Sequence, residues 1–327
     1  MSREHHDWQA GKAPPLIRPH SLAKHRVLRA YLEQYVSILT ANPRQEQLRL
    51  TLVDGFAGGG LYLDSRTKEE RSGSPLIMLE AMEQAAQTAQ QMRSKPFHLD
   101  VQYVFVEKDR EALDYLRAVL RDSRFAPLLS DRIQLLHGEF VARSSEITEF
   151  VKNQGRANRA IYVLDQFGYS DVPLTTIRDV LATLENAEVL LTFATDFLID
   201  YLSGNDQTQR ILENVGITLP SKDIVTAKES RDWRRIIQFA LHHEIPERTG
   251  AKFYTPFFHP VCRRPSRLLV DPSVGALSCA RRHGRFTLEG EHIIRALRSI
   301  RIADAGVRSG VRCRLDRPAH AAGFLLR

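Results

Sequence analysis

Several things are scarce or missing in this 327-residue chain, and each absence removes a class of function. No stretch approaches the roughly 20 consecutive apolar residues that cross a bilayer, so no membrane partner is expected. The start, Met1 to Ala10, is polar and carries His5 and His6, so neither signal peptide nor anchor is expected and the expected location is cytoplasmic. Cysteine occurs three times, at Cys262, Cys279 and Cys313, with no C-x-x-C spacing, which disfavours a disulfide framework or a zinc centre. The adjacent pairs His5-His6 and His242-His243 diverge on a helix or a strand and do not suggest a metal site. There is no G-x-S-x-G elbow, no G-x-x-x-x-G-K-[ST] phosphate loop and no H-E-x-x-H. Tryptophan occurs only at Trp8 and Trp233, which read as packing residues.

Negative charge is the minority, at a formal net of +7, but the excess is unevenly placed. Residues 261 to 327 hold fourteen arginines, no lysine and five acids, while the first 260 residues are slightly acidic. The stretch 259–327 also lacks the periodicity of what precedes it. Two origins fit: a frameshifted reading of a high-G+C gene, or a disordered basic tail for nucleic acid.

The rest alternates strands and helices. An amphipathic helix is predicted over His20 to Leu39, with Ser21 as its cap, after a flexible N-terminus of residues 1–19. Strands are predicted at Leu48–Val53, Val101–Val106, Arg132–Leu136, Ala160–Leu164 and Val189–Phe193. Between them fall a polar loop over 64–72 and helices from Pro75 to about Met92 (capped by Ser74), Arg110 to Leu120, Ser144 to Val151 and Leu174 to Leu184. The pattern predicts an α/β fold, a Rossmann-like, doubly wound, mostly parallel sheet over residues 20–258. Residues 197–250 read as a small helical insertion or cap, and Phe253–Phe258 as a further strand.

The most informative segment is Leu50 to Tyr62, where an apolar strand stops at Asp54 and turns through Gly55, Phe56, Ala57, Gly58, Gly59 and Gly60. Glycines can present bare backbone to a small ligand. A carboxylate before the first glycine would repel a pyrophosphate, which argues against a nicotinamide dinucleotide; an ordinary strand-to-loop turn is the plain alternative. Ligands of open α/β sheets lie beyond the carboxyl ends of the strands, which directs attention to three more places. Glu107 can accept from two vicinal ribose hydroxyls or be a solvated acid. Gly138 and Glu139 can meet an adenine edge. Asp165, Gln166, Phe167 and Gly168 close the fourth strand, where Asp165 can hold an acceptor amine and Phe167 can stack, or where Asp165 simply caps a turn. Lys24 and His25 read better as a solvated helix face than as part of the site.

The run Asp54 to Gly60 resembles the first motif of class I S-adenosylmethionine-dependent methyltransferases. Together with Lys24-His25, Leu28, Tyr31-Leu32, Gly73-Ser74-Pro75, the Val104–Glu107 strand and the Leu164–Ser170 turn, it resembles the three-Cys-motif partner protein family of bacteria. That resemblance implies a class I methyltransferase-like fold, S-adenosyl-L-methionine as cofactor, a bacterial cytosolic setting and a partner protein that carries the three-Cys motif. The motif belongs to that partner, so the chain's own cysteines are not it. Family members commonly have Asp-Pro-Tyr-Gly or Asp-Pro-Phe-Gly where this chain has Gln166 in the proline position. On a methyltransferase reading Asp54 to Gly60 receive the methionyl end, Glu107 the ribose, Gly138 and Glu139 the adenine, and Asp165 to Gly168 the target. The family resemblance implies no settled substrate, and nucleic acid is expected because Asp165 to Gly168 stand where amino-methylating nucleic-acid enzymes carry their target motif. A scaffold that keeps the fold without catalysis is the alternative.

Overall fold

A computed structural model describes residues 7–155, 159–166, 171–193, 244–259 and 321–326. The element order is β1 (Leu16–Ile17), α1 (Pro19–Leu39), β2 (Gln47–Asp54), β3 (Leu61–Asp64), β4 (Glu70–Ser72), α2 (Ser74–Gln91), β5 (His98–Glu107) and α3 (Arg110–Arg121). It continues with β6 (Ile133–His137), α4 (Phe140–Lys152), β7 (Ala160–Leu164), α5 (Leu174–Thr183), β8 (Ala187–Phe193), β9 (Tyr254–His259) and β10 (Ala321–Leu326).

Seven strands form one sheet in the order β6-β5-β2-β7-β8-β10-β9. The first five are parallel, which makes this the expected α/β, Rossmann-like arrangement. β10 runs antiparallel to both β8 and β9 and so carries the far edge of the sheet. The chain lays down β2, β5 and β6 in one direction and then returns to place β7 and β8 on the other side of β2. The reversal therefore lies between β2 and β7, where Asp54 stands opposite Val163 in register.

Alternation along the strands gives the sheet two apolar faces. Val53, Val104, Val106, Tyr162 and Leu164 pack with Phe140, Ile147 and Val151 of α4 and with Leu174, Ile177 and Val180 of α5. By that alternation Leu52, Phe105 and Ile161, all fully buried, belong to the opposite face. α1 and α2 pack on each other, and α2 also meets β2 and β5.

Local signals explain the element ends. Asp109 caps α3, its carboxylate accepting from the N–H groups of Glu111 and Ala112, with Arg121 in the last turn. α1 starts at Pro19 with Arg18 in the cap position, not Ser21, because proline presets the helical φ at a position that needs no donor. Gly73, not Ser74, precedes α2, and the Ser74 hydroxyl is turned toward the Asp54 carboxyl instead. The stretch expected as a polar loop over 64–72 is largely a hairpin of β3 and β4, with β1 added in parallel beside β3. Its turn is closed by Asp64, whose carboxylate accepts from the N–H of Arg66 at 2.9 Å and from the Arg71 guanidinium at 3.5 Å. Residues 244–249 are helical, and the remaining helices expected within 197–250 lie outside the described residues, as does nearly all of the basic stretch between β9 and β10.

Candidate functional site

The site is assembled where the parallel strands β5, β2 and β7 end. Each delivers an acid: Glu107 ends β5, Asp54 ends β2 and Asp165 follows β7. The three lie close enough to affect one another electrostatically around Tyr62.

Asp54 is fully buried. Its Oδ1 accepts from the Phe56 N–H at 3.1 Å, while Oδ2 is buried with no hydrogen-bond partner. Burial drives its pKa up to about 7, against the hydrogen bonds from Ser74 and Phe56 that favour the carboxylate, and Asp165 and Glu107 push the same way as burial.

Glu107 is committed differently. Its Oε2 accepts from the Gly58 N–H at 2.8 Å and its Oε1 from the Asp109 N–H at 2.9 Å, so the carboxylate ties the glycine turn to the start of α3. The turn itself is packed from all sides. The N–H of Gly55 donates to Val163 O, that of Ala57 to Val106 O, and the Gly73 N–H returns to Gly60 O at 2.7 Å. A Cβ on Gly55 would stand 2.7 Å from a Leu164 methyl, one on Gly59 2.3 Å from the Trp8 indole, and one on Gly60 2.6 Å from a Leu116 methyl. Gly58 and Gly60 also have φ of +60° and +82°, which side chains rarely adopt. The glycines therefore answer first to the protein's own side chains. Four N–H groups expected to face a ligand, those of residues 55 to 58, are satisfied internally.

Trp8 packs edge to face on Tyr62 at 5.3 Å and donates its indole N–H to Leu61 O at 2.8 Å. Its reading as a packing residue describes it well.

Asp165 receives a cation that the sequence reading set aside. Lys24, in the second turn of α1, places its ammonium 2.6 Å from Oδ1 and 2.8 Å from Oδ2, with both side chains a little under one-third exposed. Burial alone would raise the Asp165 pKa, but the Lys24 charge and hydrogen bond, a hydrogen bond from Thr192 and nearby His25 hold it below the usual carboxylate range. The solvated-face reading of Lys24 and His25 is thus corrected: the N-terminal turns of α1 stand at the strand ends, where Lys24 meets Asp165, while Tyr31, two turns on, already meets Glu188 near the start of β8. His25 has its pKa lowered to about 4 by burial, with Asp165 opposing and Lys24 assisting; its ring also faces the Ser72 carbonyl, while Nδ1 is buried without a partner.

Gln166 is buried, and its Oε1 accepts from the N–H groups of Asp171 and Val172, both at 3.0 Å, leaving Nε2 without a partner. Where the resemblance expects a proline, this amide pins the following segment from its side chain. Phe167 and Gly168 lie outside the described residues. Gly138, at φ +134°, donates its N–H to Glu107 O at 3.0 Å, and Glu139 is exposed ahead of α4 on the edge strand's side. The structure thus brings Asp54, Glu107 and Asp165 together and leaves Glu139 at the rim. Among the described residues no cluster of three or more metal-ligating side chains occurs, and no helix is long and apolar enough to cross a membrane.

The fold and site define an α/β protein with its crevice at a switch point of the sheet. No protein-family model and no curated protein sequence matches the chain. Among solved structures it is similar to a Legionella pneumophila protein (11% identity, 58% of this chain and 73% of that one, TM-score 0.35). It is similar also to the plantazolicin methyltransferase BamL, in a complex with SAH and a desmethylPZN analog (9%, 94% and 84%, TM-score 0.33). A third is the methyltransferase domain of bacterial CtHen1-C (10%, 91% and 97%, TM-score 0.31). These likenesses are shallow, and the fold assignment rests on strand order and register.

Proposed function

We propose that the chain binds S-adenosyl-L-methionine in the crevice between β2 and β7 and serves as a methyltransferase, acting on nucleic acid together with a three-Cys-motif protein. The observation that carries the reading is the pair of acids bracketing the reversal of the sheet: Asp54 at the end of β2 and Asp165 after β7. Open α/β sheets bind ligands at such a point. Glu107, one strand over, stands where a ribose diol would be held, and each of its oxygens keeps a lone pair beyond the N–H it already accepts.

When bound, the cofactor supplies an electrophilic methyl group on a sulfonium. Asp54 and the turn Gly55 to Gly60 would border its methionyl part, Glu107 its ribose, and Gly138 with Glu139 its adenine. Asp165 to Gly168 would form the border toward the acceptor. The chain's own contribution is to fix geometry and exclude water, since transfer needs chiefly an in-line approach. The partner rests on the sequence resemblance, and the nucleic-acid substrate on the Asp165–Gly168 motif and on the arginine-rich residues 261–327.

One observation favours a second reading, a non-catalytic scaffold that keeps the fold: the glycine turn is filled and hydrogen-bonded by the protein itself. Calorimetric titration with S-adenosylmethionine separates the two. Saturable binding that Glu107→Ala weakens at least tenfold supports the cofactor site; an intact chain that ignores the cofactor leaves the scaffold. Labelled methyl transfer to total nucleic acid, with and without the partner, then tests the substrate.

A further inference from the structure

We infer that Lys24 and Asp165 are a split receptor for the zwitterionic amino-acid head of the ligand, Asp165 taking its α-ammonium and Lys24 its α-carboxylate. The inference rests on the nucleoside reading above and changes the role of Asp165 within it, from orienting an acceptor amine to holding the ligand itself.

The geometry is specific. A primary ammonium already sits on both oxygens of Asp165, at 2.6 and 2.8 Å, delivered from a residue 141 positions away. The seat therefore has the shape and charge to hold an ammonium. A neutral exocyclic amine is a poor competitor for it, because displacing Lys24 with an uncharged group would leave a carboxylate and an ammonium both unpaired. A ligand that carries its own ammonium and its own carboxylate exchanges partners without stranding a charge: its cation replaces Lys24 on Asp165, and its anion meets the freed Lys24.

The pair is also placed and poised for this exchange. Asp54 is sealed and Glu107 is held by two backbone N–H groups, whereas Lys24 and Asp165 remain partly open to solvent. That exposure lets an incoming ligand reach both partners, and an exchange that keeps each of them paired avoids the cost of stranding either. Next to Lys24 in sequence, His25 keeps a buried Nδ1 acceptor with no partner and senses the Asp165 charge, which offers an incoming ammonium a second acceptor. Finally, Glu107 and Asp165 stand at the ends of strands separated by β2, two strand spacings or about 10 Å. A ribose carrying an amino acid through a thioether arm covers that span when extended.

The test uses the full chain and three probes measured by titration calorimetry: S-adenosylhomocysteine, its decarboxylated amine, and 5′-methylthioadenosine, which has neither charge of the head. Wild type should prefer S-adenosylhomocysteine to methylthioadenosine by at least tenfold. Lys24→Met should lose about tenfold for S-adenosylhomocysteine and leave methylthioadenosine within twofold, while the amine binds as well as before or better, since it no longer displaces a lysine; Lys24→Arg should restore part of the loss. Asp165→Asn should weaken both head-bearing probes that carry the ammonium and spare methylthioadenosine. Equal wild-type affinity for S-adenosylhomocysteine and methylthioadenosine, or a Lys24→Met loss shared equally by all three probes, overturns the split receptor and leaves the nucleoside site standing. Binding of none of the probes by folded wild type overturns both.

Discussion

The turn after β2 and the edge after β7 flank the same crevice and are built to opposite ends. On the β2 side every backbone N–H from residue 55 to 58 is bonded within the protein, and the space above each glycine is filled by Leu164, Phe140, Trp8 or Leu116. On the β7 side the polar groups are left with capacity. Asp165 is held by a lysine that solvent can reach, and buried nitrogens of His25 and Gln166 have no partner. Satisfied backbone and filled space make a rigid wall, because close-packed interiors transmit strain and do not absorb it. Unpaired polar atoms cost stability and persist where something else justifies them. One flank is therefore the frame, and the other is where a ligand has something to gain.

The sharpest way to break the contrast is to crowd the frame. Gly60→Ala puts a methyl 2.6 Å from the fully buried Leu116 at a φ of +82°. Overpacking costs about 1–3 kcal/mol and the left-handed backbone about 1–2 more. We expect a loss of about 4 kcal/mol in urea denaturation. A loss under about 1 kcal/mol would mean that the wall is soft and the contrast false.

Next in size is Asp54, which belongs to the frame by position but to the unsettled side by its orphaned oxygen. Its pKa rises from 3.8 unfolded to about 7 folded, chiefly by burial, so the folded state binds the proton more tightly. Its contribution therefore favours the fold at low pH and is lost as pH climbs from about 4 to 7. His25 has the opposite sign: its pKa falls from 6.5 to about 4 on burial, so its contribution is complete above 6.5 and is lost as pH drops toward 4. Between pH 4 and 6.5 the two slopes oppose. Asp54→Asn should remove one of them, leaving stability that rises with pH over that window and a variant more stable than wild type at pH 8, by up to about 4 kcal/mol at about 1.4 kcal/mol per pKa unit. Denaturation midpoints from pH 4 to 8 check this, and identical profiles for the two proteins would show that Asp54 is ionised in the fold at little cost.

Much of the frame was legible in the sequence. The five parallel strands and their helices lie within a few residues of the expected positions, because apolar runs ending in Asp54, Glu107 or Asp165 leave little choice of element. The acids at the strand ends follow from the same logic. Three features were not legible. β10, at Ala321–Leu326, carries a weak apolar signal beside arginine-rich text, and only its pairing with β8 and β9 reveals it. In the hairpin over 61–72 only the short first strand, Leu61 to Leu63, is apolar, and the polar remainder looks like loop because the Asp64 carboxylate, not an apolar face, organises the turn. Lys24 looks like any solvated helix lysine, since nothing local marks a partner 141 residues away.

On the β7 side, effects on folding should be smaller than effects on binding. Gln166→Ala removes the acceptor for two backbone N–H groups, one of them on fully buried Val172, and should cost about 2 kcal/mol. Gln166→Pro would match the resembled motif and lose the same acceptor, so it should be no better; a stabilised proline variant would show that the side-chain bonds at Asp171 and Val172 contribute nothing.

Lys24→Met should have the smallest effect on stability. Its partner is about 29% exposed, the long methylene stem is retained in methionine, and pairs at this exposure contribute under about 1 kcal/mol. Asp165, relieved of its counter-ion, should lose part of the depression of its pKa, so the variant's deficit should be confined to pH values where the carboxylate is ionised and shrink as pH falls through the ordinary Asp range. A loss of several kcal/mol instead would place Lys24 in the frame: the ion pair would then be a fixed strut between α1 and the sheet, too costly to open, and the division between a rigid flank and a responsive one would fail at the residue on which it most depends.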